Sequence, residues 1–217
     1  MGRESALALI VTVLIAGCST SPRMEPIPRR TLAELSCRTS RGGLEVAVDP
    51  WTDAARVKRH FGTDLLSRRI VPFEVAFANA GAEGGFLLQP ESATILDERG
   101  LQEIESASSG GVRASDFDPT VFLITYLGIS QVFAAVYAVV AQDAYYDAQD
   151  IRRQMEKVQF IDRPLYRSDS NGGFFYLRFA DMGDLQKAAA IRFRVKNVRS
   201  LEEKTVVVPL KSKRENL

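Results

Sequence analysis

Phe73, Val75 and Phe77 alternate with Glu74, Ala76 and Ala78, and this two-residue period between Pro72 and Asn79 commits the stretch to a strand with one apolar side. The same period recurs on either side of it. Leu44, Val46 and Val48 alternate with Glu45 and Ala47 until Asp49-Pro50 stops them, while Phe86 to Leu88 and Thr94 to Leu96 read as two short strands separated by Gln89-Pro90-Glu91-Ser92. Asp97-Glu98-Arg99-Gly100 predicts a hairpin turn into Leu101 to Ile104. Beyond the middle of the chain, Asn171-Gly172-Gly173 introduces Phe174 to Phe179, Ile191, Phe193 and Val195 alternate with Arg192, Arg194 and Lys196, and Thr205 to Leu210 closes the series. About seven short strands punctuated by turns are the pattern of an antiparallel β-sandwich. One short helix interrupts them: Thr52 or Asp53 can cap a run through Arg59, with Phe61 as its apolar end and Gly62 as its terminator.

A different pattern occupies the middle. Val121 to Ala141 contains no charged residue, and 21 residues at the helical rise extend about 32 Å, the thickness of a hydrocarbon core. Asp118 and Pro119 suit the cap and first position of such a helix, and Ser130, Ala134 and Ala138 repeat every four residues as a small-residue face for close packing. A single membrane crossing would put the strands before Gly110 and those after Asn171 on opposite sides, where they could not share a sandwich. Thr125, Tyr126, Ser130, Gln131 and Tyr137 also lower its greasiness. Packing on the sandwich or on another subunit, membrane insertion and irregular burial all remain open, with packing favoured. The helix is expected to continue past Ala141, because Tyr145, Ala148, Ile151, Met155 and Val158 recur at helical spacing beside Asp143, Asp147 and Asp150. Together with the Ser- and Gly-rich Ser106 to Ser115 lead-in, this marks a helical insertion at about residues 116–163 of a domain spanning 37–217.

At the amino end, Arg3 precedes an uncharged run from Ser5 to Ile15 and then Leu14-Ile15-Ala16-Gly17-Cys18. A basic start, an apolar core of about ten residues and small residues before the end form an export signal, too short to span a bilayer. The five residues ending at Cys18 resemble the lipobox of bacterial lipoproteins. That resemblance implies a diacylglycerol on the Cys18 thiol, cleavage just before it, removal of residues 1–17 and a mature chain of 200 residues. Residues 18–36 hold Pro22, Pro26 and Pro28 among polar and basic side chains, an extended tether that would put Arg23, Arg29 and Arg30 near anionic head groups. Ser19 after the lipidated cysteine resembles the residue of lipoproteins sent on to the outer membrane, facing the periplasm. Ile70 to Asn79 and the short strands after it resemble those of bacterial lipoproteins with immunoglobulin-like domains, which implies an immunoglobulin-like sandwich over about half the chain.

Charge excludes one class of partner. Against 28 basic side chains stand 27 acidic ones, and the leader removes one of each, so no field draws nucleic acid. Cys37 has no second thiol once Cys18 is acylated and reads as a small buried group, an intermolecular disulfide being the alternative. His60 is the single histidine and reads as a surface residue. Asp116-Phe117-Asp118-Pro119-Thr120 matches the DxDxT pattern of haloacid-dehalogenase-like phosphatases, but no buried apolar strand precedes it, and Asp118 reads better as a helix cap. The carboxylates Asp143, Asp147 and Asp150 could hold a cation; pairing of the stripe with Arg153 is the stronger reading. No cofactor or metal is expected. The sequence thus points to a noncatalytic membrane-anchored envelope lipoprotein, a structural or accessory part of an envelope assembly, with partners reached through the Val121 to Ala141 helix or by self-association. Two alternatives are a module binding a lipid or small apolar ligand, and a hydrolase using Asp116 and Asp118.

Overall fold

The computed structural model describes residues 24–81, 84–98, 103–104, 106–107 and 149–210. Nine strands, all paired antiparallel, form two sheets among these residues: β1 (Cys37–Arg41), β2 (Leu44–Pro50), β3 (Ile70–Asn79), β4 (Phe86–Asp97), β5 (Glu103–Ile104), β6 (Ser106–Ala107), β7 (Ser170–Phe179), β8 (Ala188–Asn197) and β9 (Glu203–Pro209). The five-stranded sheet runs β1-β2-β3-β7-β6, and the four-stranded sheet runs β5-β4-β8-β9. Val46, Phe73, Val75, Phe77 and Phe175 of the first sheet pack in one core with Leu88, Ile95, Ile191, Phe193 and Val206 of the second. The alternation of the sequence is thereby realised as a β-sandwich.

Four segments depart from the sequence expectation. β1 carries a single apolar residue, Cys37, so no alternation announces it; pairing with β2 from Cys37↔Val48 to Arg41↔Leu44 makes it a strand. Residues 86–88 and 94–96 belong to one strand rather than two. Its register against β8 shifts between Gln89 and Thr94, and the Ser92 hydroxyl bridges the irregularity, accepting from the Arg194 amide at 2.9 Å and donating to the Gln89 carbonyl at 2.6 Å. Ser106 and Ala107, expected in a loop, pair with Phe179 and Arg178. Gly172 and Gly173, expected to lead into the strand, lie inside β7 opposite Ala76 and Val75.

Both sides of β3 are buried, which a half-exposed strand would not be. Its outer side carries a second apolar layer in which Trp51, Val57, Phe61, Leu65, Ile70, Met155, Phe174 and Tyr176 cluster. Two helices supply much of that cover. Helix α1 (Ala54–Phe61) forms where expected: the Asp53 carboxylate accepts from the amides of Ala55 and Arg56, and Gly62 ends the helix at φ 73°, a left-handed conformation that glycine adopts without steric cost. Helix α2 (residues 149–158) presents Ile151, Met155 and Val158 to the cluster, the spacing read from the sequence. A third, α3 (Met182–Lys187), is capped by Asp181 and joins β7 to β8. Replacing Asp53 with alanine is expected to lower stability by about 1 kcal/mol in urea unfolding, with asparagine retaining most of the cap.

Residues 159–165 return from α2 across the end of the sandwich. Phe160 and Leu165 enter the inter-sheet core, and Leu165 exchanges two backbone hydrogen bonds with Phe86. The fully buried Asn79 holds this crossing, its Nδ2 donating to the carbonyls of Gly84 (3.0 Å) and Leu165 (3.3 Å). One end of the molecule is thus plugged by side chains from the segment preceding β7.

Candidate functional site

The outer layer of the five-stranded sheet also contains the densest polar constellation among the described residues. Glu74 points outward from β3, as the alternation requires, yet helices and the amino-terminal segment cover it to 5% exposure. A carboxylate so placed needs partners. Trp51 Nε1–H donates to Glu74 Oε2 at 3.2 Å, Arg30 Nε–H donates to the same oxygen at 2.8 Å, and Arg30 Nη2 bridges Glu74 to Asp49. Ser36 Oγ donates to Asp49 at 2.8 Å, and Arg56 reaches the other Asp49 oxygen at 3.4 Å while its guanidinium lies 3.7 Å over the Trp51 ring.

Two guanidinium groups therefore face two carboxylates, and the cluster is neutral. Burial by itself would lower the proton affinity of Arg30; its hydrogen bonds to Glu74 and Asp49 and their charges outweigh that and hold it above its ordinary value. Every carboxylate in the group is occupied by a permanent cation, a hydroxyl or an indole N–H. What the arrangement does chemically is fasten one segment of chain to the sheet.

The fastened segment is the second half of the stretch read as a tether. Ile27 packs in the Trp51 cluster, the Glu25 amide donates to the Arg59 carbonyl at 3.1 Å, and Leu32 and Leu35 cover Ala47 and Ala76. Thr31 and Glu34 close a capping box around a 3₁₀ turn (Leu32–Glu34). Arg30, expected beside lipid head groups, is turned into the domain instead, because the paired carboxylates of Asp49 and Glu74 are the stronger site for it.

His60 is half-buried rather than a bare surface residue. Its ring stands edge-on to Trp51 at 5.3 Å, and Nδ1 lies 3.2 Å from the Glu25 carbonyl oxygen, an acceptor, so that nitrogen carries the proton in this contact. Cys37 is buried, as expected, with Sγ donating to the Leu210 carbonyl at 3.1 Å; burial pushes its thiol above the ordinary range and so suppresses its reactivity. Asp150 pairs with Arg153 at 3.4 Å, and no group of three or more potential metal ligands occurs among the described residues. Cys18, Asp116, Asp118, Ser130, Ala134, Ala138, Asp143 and Asp147 lie outside the described residues, as does the Val121 to Ala141 run. Among the described residues no helix is long and apolar enough to cross a membrane.

Sequence reasoning missed Arg30, Asp49, Trp51, Arg56 and Glu74 as a unit. One signal was present: Glu74 is a lone carboxylate inside an otherwise apolar strand, and Trp51 is the only tryptophan. A cleft of about 440 Å³ opens elsewhere, lined by Arg41, Leu44, Phe86, Glu202 and Lys204 among others, where the β1–β2 turn meets β9. Comparison with known proteins finds no matching family model, no similar curated protein and no similar solved structure.

Proposed function

We propose that the chain is a bacterial envelope lipoprotein anchored through lipid on Cys18, and that its sandwich is an immunoglobulin-like, noncatalytic structural or accessory module of an envelope assembly. The anchor rests on the sequence Leu14 to Cys18 after its short apolar run. Ser19 favours the outer membrane, with the domain in the periplasm.

Strand order supports the immunoglobulin-like reading. With β2, β3, β7 and β6 as strands A, B, E and D, and β5, β4, β8 and β9 as C′, C, F and G, the two sheets follow the order of that fold, β1 being an added edge strand. Helix α2 then falls in the D-to-E connection, where a helical insertion from about residue 116 to 163 would sit. The observation that carries an accessory rather than catalytic role is the Arg30 latch. The elaborate polar chemistry of the outer layer is spent on docking the chain's own anchor-proximal segment.

Lipidation is tested by expressing the full chain in bacteria fed labelled palmitate. Label and membrane fractionation are expected for the native sequence and lost in Cys18→Ser. An unlabelled native chain found in the soluble fraction would refute the anchor, whereas detergent-solubilised protein that stays monomeric and captures no partner after cross-linking would refute the assembly role.

A further inference from the structure

We infer that the exposed side of α1 is the face on which the domain rests against the membrane, with anionic lipid head groups as its ligand; the inference takes the Cys18 anchor as its premise. The docked strap fixes where the chain leaves the domain. Glu25 is bonded to Arg59 and to His60, Ile27 is packed beneath, and Arg30 is latched, so residue 24 departs beside the carboxyl end of α1. Five residues lie between Cys18 and Met24, which makes six Cα-to-Cα steps. Fully extended they reach about 20 Å, whereas the ten-residue strands β3 and β7 run about 33 Å, so the domain is longer than its leash.

Basic side chains stand beside the exit and can meet an anionic surface. Arg29, Lys58 and Arg59 are exposed there, Asp49 and Glu74 are neutralised by Arg30 and Arg56, and Asp53 sits at the amino end of α1, away from the exit; Asp64, bonded to the Ser67 amide, keeps its charge. Glu25 and Glu34 are the exposed acids of the strap, and Glu34 is bonded to the Thr31 amide. A second basic surface, Arg194 and Lys196 on the outer side of the four-stranded sheet, lies on the opposite face of the sandwich, where a short leash does not bring it down.

The test couples the mature-length protein through Cys18 to a maleimide lipid in vesicles, so that the anchor does not depend on cellular acylation; buried Cys37 does not compete. On phosphatidylglycerol-rich vesicles, amides of residues 54–62 are expected to exchange about tenfold more slowly than on pure phosphatidylcholine, an effect of several basic side chains at a charged surface that salt removes. Lys58→Glu with Arg59→Glu should abolish the difference, as should the milder Lys58→Gln with Arg59→Gln, while Arg194→Glu with Lys196→Glu should preserve it. Equal exchange on both vesicles, or protection appearing in residues 192–196 instead, overturns the assignment. A chain that is not palmitoylated in cells but passes this test would refute the anchor and not the face.

Discussion

Replacing Arg30 with methionine is expected to destabilise the protein by about 3 kcal/mol, far more than removal of a surface ion pair, which is worth about 0 to 1 kcal/mol. The Glu74 side chain is 6% exposed, and without Arg30 it keeps one hydrogen bond, from Trp51. Removing one partner from a buried pair strands the other charge, which is why the loss exceeds the pair's own net contribution. Arg30, at 20% exposure, sits at the rim, and access of water there keeps the cost towards the lower end. Urea unfolding of the single variants, of Glu74→Gln and of the double variant measures the coupling, expected at about 2 kcal/mol. The strap supplies an independent readout. In Glu74→Gln, trypsin should cleave after Arg29 or Arg30 well before the sandwich is attacked, whereas the native chain should resist there. A loss below about 0.5 kcal/mol with unchanged cleavage would mean that the cluster is ordinary surface pairing.

The latch was hard to foresee for a physical reason. Alternation and capping act over a few residues; they located the inner-facing Phe73, Val75 and Phe77 and the Ile191 to Val195 face, and they narrowed the cap of α1 to Thr52 or Asp53, of which Asp53 is the one used. Arg30 and Glu74 are 44 positions apart, and nothing local tells an arginine in a proline-rich stretch that its partner waits on a strand. β1 was invisible for a related reason. An edge strand with one buried residue has almost no apolar signal of its own and is defined by its neighbour. The break at residues 89–92 misled in the opposite direction: turn-forming residues there mark an irregularity in β4, because β8 continues alongside and Ser92 makes good the backbone pairing. Helical spacing at Ile151, Met155 and Val158 was legible, but which sheet face they would cover was not.

Gly173→Ala isolates the other long-range feature, the return of the chain after α2. β7 has its outer edge covered in two parts, by β6 opposite Arg178 and Phe179 and by residues 159–160 beside Phe174, where the Phe160 amide donates to the Phe174 carbonyl at 2.8 Å. Such cover removes an unpaired edge that would otherwise template association. It demands close approach. A Cβ on Gly173 would stand 2.6 Å from the nitrogen and Cα of Phe160, and backbone atoms held by that hydrogen bond do not swing aside as a flexible side chain would. Phe160, 5% exposed in the inter-sheet core, must then be displaced, at an expected cost of about 2 to 3 kcal/mol in urea unfolding. Gly172→Ala is the matched control: its nearest neighbour is the Val75 carbonyl oxygen at 3.2 Å, a displacement of tenths of an ångström, and the lost flexibility of the unfolded chain offsets it by about 0.4 to 1 kcal/mol. The control should therefore fall within about 1 kcal/mol of the native protein and remain as dispersed in size-exclusion chromatography. Gly173→Ala should also self-associate as its β7 edge is uncovered, and equal stability of the two variants would show that residues 159–160 do not hold that edge.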